Sequence, residues 1–111
     1  MDKVEELLRR LALNDESAVD SVLARDPQVA VVSPLDLKTH ALVRLGALLA
    51  VGAGTTTLRW MTELAYGAGA TDEEIVGVLV AVSPDVGCAC IVRAAPRLAL
   101  AIGYDVEDVV G

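Results

Sequence analysis

The chain has no phenylalanine, one tryptophan and two tyrosines, so aromatic residues make up only 3% of its 111 positions. Its 54% apolar content is therefore mostly alanine, valine and leucine, small side chains that let helices approach closely. Histidine occurs once and cysteine twice. That is too little for a tetrahedral structural zinc site or a disulfide framework. Nothing in the sequence calls for a cofactor.

Basic side chains are also short in supply: nine against sixteen acids, a net charge of −7. Phosphate backbones are bound by basic surfaces, so a nucleic-acid partner is excluded as an expectation. The longest run without a charged residue, Leu45 to Leu58, spans 14 positions. A membrane-spanning helix needs about 20, so no membrane role is expected. The start, Met1-Asp2-Lys3-Val4-Glu5-Glu6, lacks the basic opening of a signal peptide, and the expected location is the cytoplasm. A mean hydropathy of +0.53 is high for so short a chain. The surplus apolar surface is expected to lie between subunits of a homo-oligomer.

What is present is helical patterning. The central stretch LRWMTELAYGAGATDEEIVGVLVAV, Leu58 to Val82, reads as two helices joined at Gly67-Ala68-Gly69. The second opens with Thr71-Asp72-Glu73-Glu74, in which a threonine cap and a glutamate three positions on form a capping box. Its acidic first turn also suits the helix dipole. Upstream, residues 3–13 place Val4, Leu7, Leu8 and Leu11 on one face, and Asn14-Asp15-Glu16 cap a second helix from Ser17 to about Arg25. Asp26-Pro27 ends this hairpin, and a connector carrying an apolar patch, Val29 to Val32, runs on to Pro34. A third helix is expected from Leu35–Asp36 to about Val51, with Thr55–Thr57 capping the next. Ser83-Pro84-Asp85 fits the cap and first turn of a last helix running to Ile102 and kinked at Pro96. A short tail turn follows over Asp105–Val110. The fold class is all-α, one domain over residues 1–111 with about six helices.

Three stretches, LDLKTHALVRLGALL, the central Leu58–Val80 run and AAPRLALAIGY from Ala94 to Tyr104, together resemble the carboxymuconolactone decarboxylase family, which includes the AhpD-like alkylhydroperoxidases. The resemblance covers residues 35–105, leaving 1–26 as an additional hairpin. It implies an AhpD-like helical core assembled as a trimer or hexamer, with pockets near subunit contacts. The peroxidase branch carries a Cys-x-x-Cys pair followed by a histidine; Gly54, Thr57 and Met61 stand at those positions here. The decarboxylase branch has its histidine at the Met61 position and an acid near Ala41. The resemblance thus implies the fold without either set of reactive groups.

The candidate site consequently lies beside the substituted histidine position. Arg59, Trp60, Met61 and Glu63 would line a small-molecule pocket, with Arg59 holding a carboxylate bidentately and Trp60 as an apolar wall. The plainer reading of Arg59 and Glu63 is an exposed i,i+4 pair. Such a pocket suits a lyase acting on a carboxylated or lactone substrate, or a binder that has lost catalysis. His40 is a further catalytic candidate, although Arg44 one turn on is a cation and not the carboxylate partner a general base needs. The alternative is a thiol peroxidase using Cys88 and Cys90. Two positions apart on a helix, however, their side chains diverge by about 200°, and packing as small buried apolar groups is the favoured reading. Arg93 and Arg97, also i,i+4, lie on an otherwise apolar helix and require anionic partners. A third possibility is a scaffold whose hairpin, residues 3–25, docks onto a partner or a neighbouring subunit.

Overall fold

The computed structural model describes residues 2–24 and 35–104. The expected connector with its Val29–Val32 patch and the expected tail turn lie outside the described residues. By backbone contact the chain divides into two compact units, Met1–Leu35 and Asp36–Gly111. Among the described residues all regular structure is helical: six helices and no strand.

The first unit is a helical hairpin of α1 (Lys3–Ala12) and α2 (Glu16–Leu23). Asp2 caps α1 by accepting from the Glu5 amide at 2.8 Å. Glu5 and Glu6 sit in its first turn and Arg9 and Arg10 in its last, the polarity the dipole favours. Asn14, at φ 58°, takes the left-handed conformation that turns the chain, and Asp15 then caps α2 through the Ala18 amide. The Arg10 guanidinium, together with that amide, holds the Asp15 carboxyl below its ordinary range. Among the described residues of this unit only Ala18 is buried; Val4 and Leu8 on α1 stay exposed.

The second unit holds α3 (Leu37–Ala50), α4 (Thr55–Gly67), α5 (Asp72–Val86) and α6 (Cys88–Ala101). They pack as a ring: α3 touches α4 and α5, and α6 touches the same two. Leu45, Leu49, Leu58, Met61, Ala65, Ile75, Ala94 and Leu98 form its core. Gly46 allows α3 to lie close to α5, since a methyl there would meet the Val78 and Val82 side chains at 3.4 Å. Asp36 caps α3, and the Thr71–Glu74 capping box opens α5 with both reciprocal bonds formed, at 3.1 and 3.0 Å. The cap of α4 is Gly54, without a side-chain bond, so Thr55 is the first helical residue and the threonines do not cap.

The break between the last two helices also differs from expectation. Ser83-Pro84-Asp85 does not start a helix; α5 runs through it to Val86, and the chain turns at Gly87. Gly87 has φ 84° and ψ 166°, a region essentially reserved for glycine. Ser83 turns inward on α5, donating its hydroxyl to the Leu79 carbonyl at 2.7 Å. Pro84 leaves the Val80 carbonyl without its helical donor, and Val80 and Pro84 both face outward, where water can serve it. The same arrangement recurs in α6, which continues through Pro96 with Val92 exposed one turn back.

Candidate functional site

The four positions expected to build a pocket, Arg59, Trp60, Met61 and Glu63, do not all face one space from α4. Met61 is 1% exposed and packs in the core. Ala41 is buried there too. The positions that the resemblance assigns to a histidine and an acid, Met61 and Ala41, are thus both buried apolar side chains. Thr62, also fully buried, donates its hydroxyl to the Arg59 carbonyl at 2.9 Å.

Arg59 points toward α6, where its Nη2 donates to the Leu100 carbonyl at 3.4 Å. It adds to the Gly103 amide that already serves this carbonyl, and its charge complements the C-terminal end of the α6 dipole. Arg59 thus bonds toward α6, whereas Trp60 and Glu63 meet residues of α3. The Arg44 guanidinium carbon stands 5.5 Å from the centre of the Trp60 ring, a cation–π contact. His40, Arg44 and Glu63 line one groove between α3 and α4, with Leu37, Leu64 and Gly67 on its walls and a volume of about 350 Å³.

Helical spacing explains this grouping. His40 and Arg44 are i,i+4 on α3, and Trp60 and Glu63 are i,i+3 on α4, so each pair shares a face. The α3–α4 packing brings the two faces together. The sequence reading weighed Arg44 only as a cation beside His40, not as a binding group, although its i,i+4 spacing from His40 put both on one face. The groove offers a guanidinium for a carboxylate, an imidazole and a carboxylate for proton transfer, and apolar walls.

The thiols contradict the packing expectation. Cys88 is exposed and Cys90 half-buried, because they occupy the first turn of α6, which Gly87 sets at the edge of the unit. Both are free. The Cys90 thiol donates to the Leu49 carbonyl at 3.5 Å. It lines a second cavity, of about 300 Å³, together with Arg93 and Arg97. Arg97 Nη1 donates to the Gly52 carbonyl at 3.0 Å, just beyond the end of α3.

Tyr66 donates a short hydrogen bond to Asp72 across the glycine corner. Partial burial and that carboxylate push the phenol up to about 12. At the start of α5, Lys38 from α3 pairs with Glu74 at 3.0 Å. The ammonium, with the Thr71 amide, holds the Glu74 carboxyl below its ordinary range. Among the described residues no group of three or more His, Cys, Asp or Glu is placed to hold a metal ion. No described helix is long and apolar enough to cross a membrane. No family model, no curated protein and no solved structure matches this chain.

Proposed function

We propose that the protein is a non-redox, carboxymuconolactone decarboxylase-like helical protein that binds a small carboxylated or lactone-containing molecule in the α3–α4 groove. The observation that carries this reading is the meeting of His40, Arg44 and Glu63 around one cavity, with Arg44 stacked on Trp60. Stacking holds a guanidinium plane in place, and a fixed plane suits bidentate recognition of a carboxylate. The volume is at the small end for ligand sites, which favours a compact acid. Binding is the primary role, because the positions aligned with the family's reactive groups are apolar or lack a thiol. His40 and Glu63 are the groups that a residual lyase step would use for proton transfer. Self-association is part of the proposal: Val43, Val80, Val92 and Leu100 are all exposed on the second unit, and a second copy would cover such side chains.

The test is titration of short-chain carboxylic acids and γ-lactone acids, followed by thermal shift and by chemical shifts of the Trp60 indole. Saturable binding that Arg44→Gln weakens by about 10- to 100-fold is expected, the range for a charged hydrogen-bonded pair. Binding that Arg44→Gln and Glu63→Gln leave unchanged would remove this groove from the site.

Exposure of Cys88 favours one second reading, a peroxidase whose thiolate attacks a peroxide. Cys88 and Cys90 share one α6 turn two positions apart, a spacing that does not allow them to close a disulfide within that helix. A thiol from outside would have to resolve the sulfenic acid. Rapid peroxide consumption lost in Cys88→Ser would establish that chemistry.

A further inference from the structure

The cavity between the end of α3 and α6 is separate from the α3–α4 groove, and its chemistry is different. Two cations enter it from one helix, at i and i+4, an arrangement that repels unless an anion intervenes. The chain has sixteen acids to nine basic residues, yet neither Arg93 nor Arg97 meets a carboxylate among the described residues. Each is instead anchored by one bond to a backbone carbonyl: Arg97 Nη1 to Gly52 at 3.0 Å and Arg93 Nε to Ala89 at 3.4 Å. One anchored nitrogen leaves the rest of each planar fork for another acceptor, already oriented. The Arg97 contact also offsets the carbonyl end of α3, which would otherwise repel an anion there.

We propose that this cavity binds a small dianionic oxyanion, held between the Arg93 and Arg97 guanidinium groups. Two charges on the ligand match two on the protein, and about 300 Å³ accommodates a phosphate or a short dicarboxylate but not a polymer. The Cys90 thiol forms part of the wall, so a bound anion shields it.

That shielding supplies the experiment. In a Cys88→Ser chain, the iodoacetamide alkylation rate of Cys90 is followed by mass spectrometry with inorganic phosphate, with succinate, and with sodium chloride at equal ionic strength. Saturable slowing by phosphate or succinate, and none by chloride, is the expected result. The more effective of the two identifies the ligand as phosphorylated or dicarboxylic. Arg93→Gln, a change at an exposed position, should raise the half-protecting concentration about 10-fold or more. Arg97→Lys should do the same, because an ammonium lacks the fork. No protection by either anion, or equal protection in Arg93→Gln, would overturn the proposal. So would protection that depends on protein concentration alone, which would assign the arginines to an acid of a second copy.

Discussion

The turn at Gly87 allows a sharp test, because the same methyl group added at two glycines should act with opposite sign. Alanine at Gly77, inside α5, meets nothing within 4 Å and needs only ordinary helical backbone. It should stabilise by about 0.5–1 kcal/mol, the difference in helix cost between the two residues. Alanine at Gly87 also meets nothing within 4 Å, so no steric clash contributes. Its whole effect is backbone: φ 84° with ψ 166° costs a side chain about 1–3 kcal/mol. The reduced freedom of the unfolded chain returns about 0.4–1 kcal/mol of that. A net loss of about 1–2 kcal/mol is expected. Urea unfolding followed by circular dichroism measures both variants, with an unchanged m-value showing that the native state is still equally compact. A neutral or stabilising Gly87→Ala would refute the argument. It would mean that α5 and α6 are able to join as one helix without losing the packing of α6 on α4.

Other consequences follow from the caps and the core. Met61→Ala removes a fully buried side chain and should cost about 2–5 kcal/mol, measured by the same unfolding experiment; a cost under about 1 kcal/mol would show that Met61 is not packed as described. Glu74 titrates below its ordinary value of 4.5 in the folded chain. Its pairing therefore stabilises fully above the unfolded value and is lost as pH falls through the lowered one. Lys38→Met should move the Glu74 titration upward in a carboxyl NMR experiment. Tyr66 has the opposite sense: its folded value of about 12 exceeds the ordinary 10.0 of a tyrosine, so the unfolded chain loses that proton first and stability declines between those pH values. Tyr66→Phe should flatten that decline in alkaline unfolding curves.

The helix ends were the most legible part of the sequence. Asp15 and the Thr71–Glu74 box cap as read, and Asp36 caps α3 where that helix was expected to begin, because a cap is a local matter of one side chain and an amide three positions on. Ser83-Pro84-Asp85 carries an equally good local signal and was misread. Proline's fixed φ is as compatible with a helix interior as with its first turn where the orphaned carbonyl faces water, and exposure is not written in the local pattern. The candidate site was legible in part. Spacing placed Arg59 and Glu63 together at i,i+4, but the long Arg59 side chain turns to α6 instead and bonds the Leu100 carbonyl. Spacing set Arg44 one turn from His40, but its contact with Trp60 follows from the packing of α3 on α4. The exposure of Cys88 could not be read from its apolar neighbours, since it depends on where Gly87 turns the chain.

The ring of contacts also bears on how this chain is made. Each of α3 and α6 leans on α4 and α5, and the bonds that fasten helix ends join residues 41 and 45 positions apart, Arg59 to Leu100 and Gly52 to Arg97. During synthesis α3 leaves the ribosome with Leu45 and Leu49 uncovered, and the last of its fastenings emerges only with α6. A ribosome paused before α6 should therefore display a sticky, half-dressed nascent chain, one that a chaperone would hold until the ring closes.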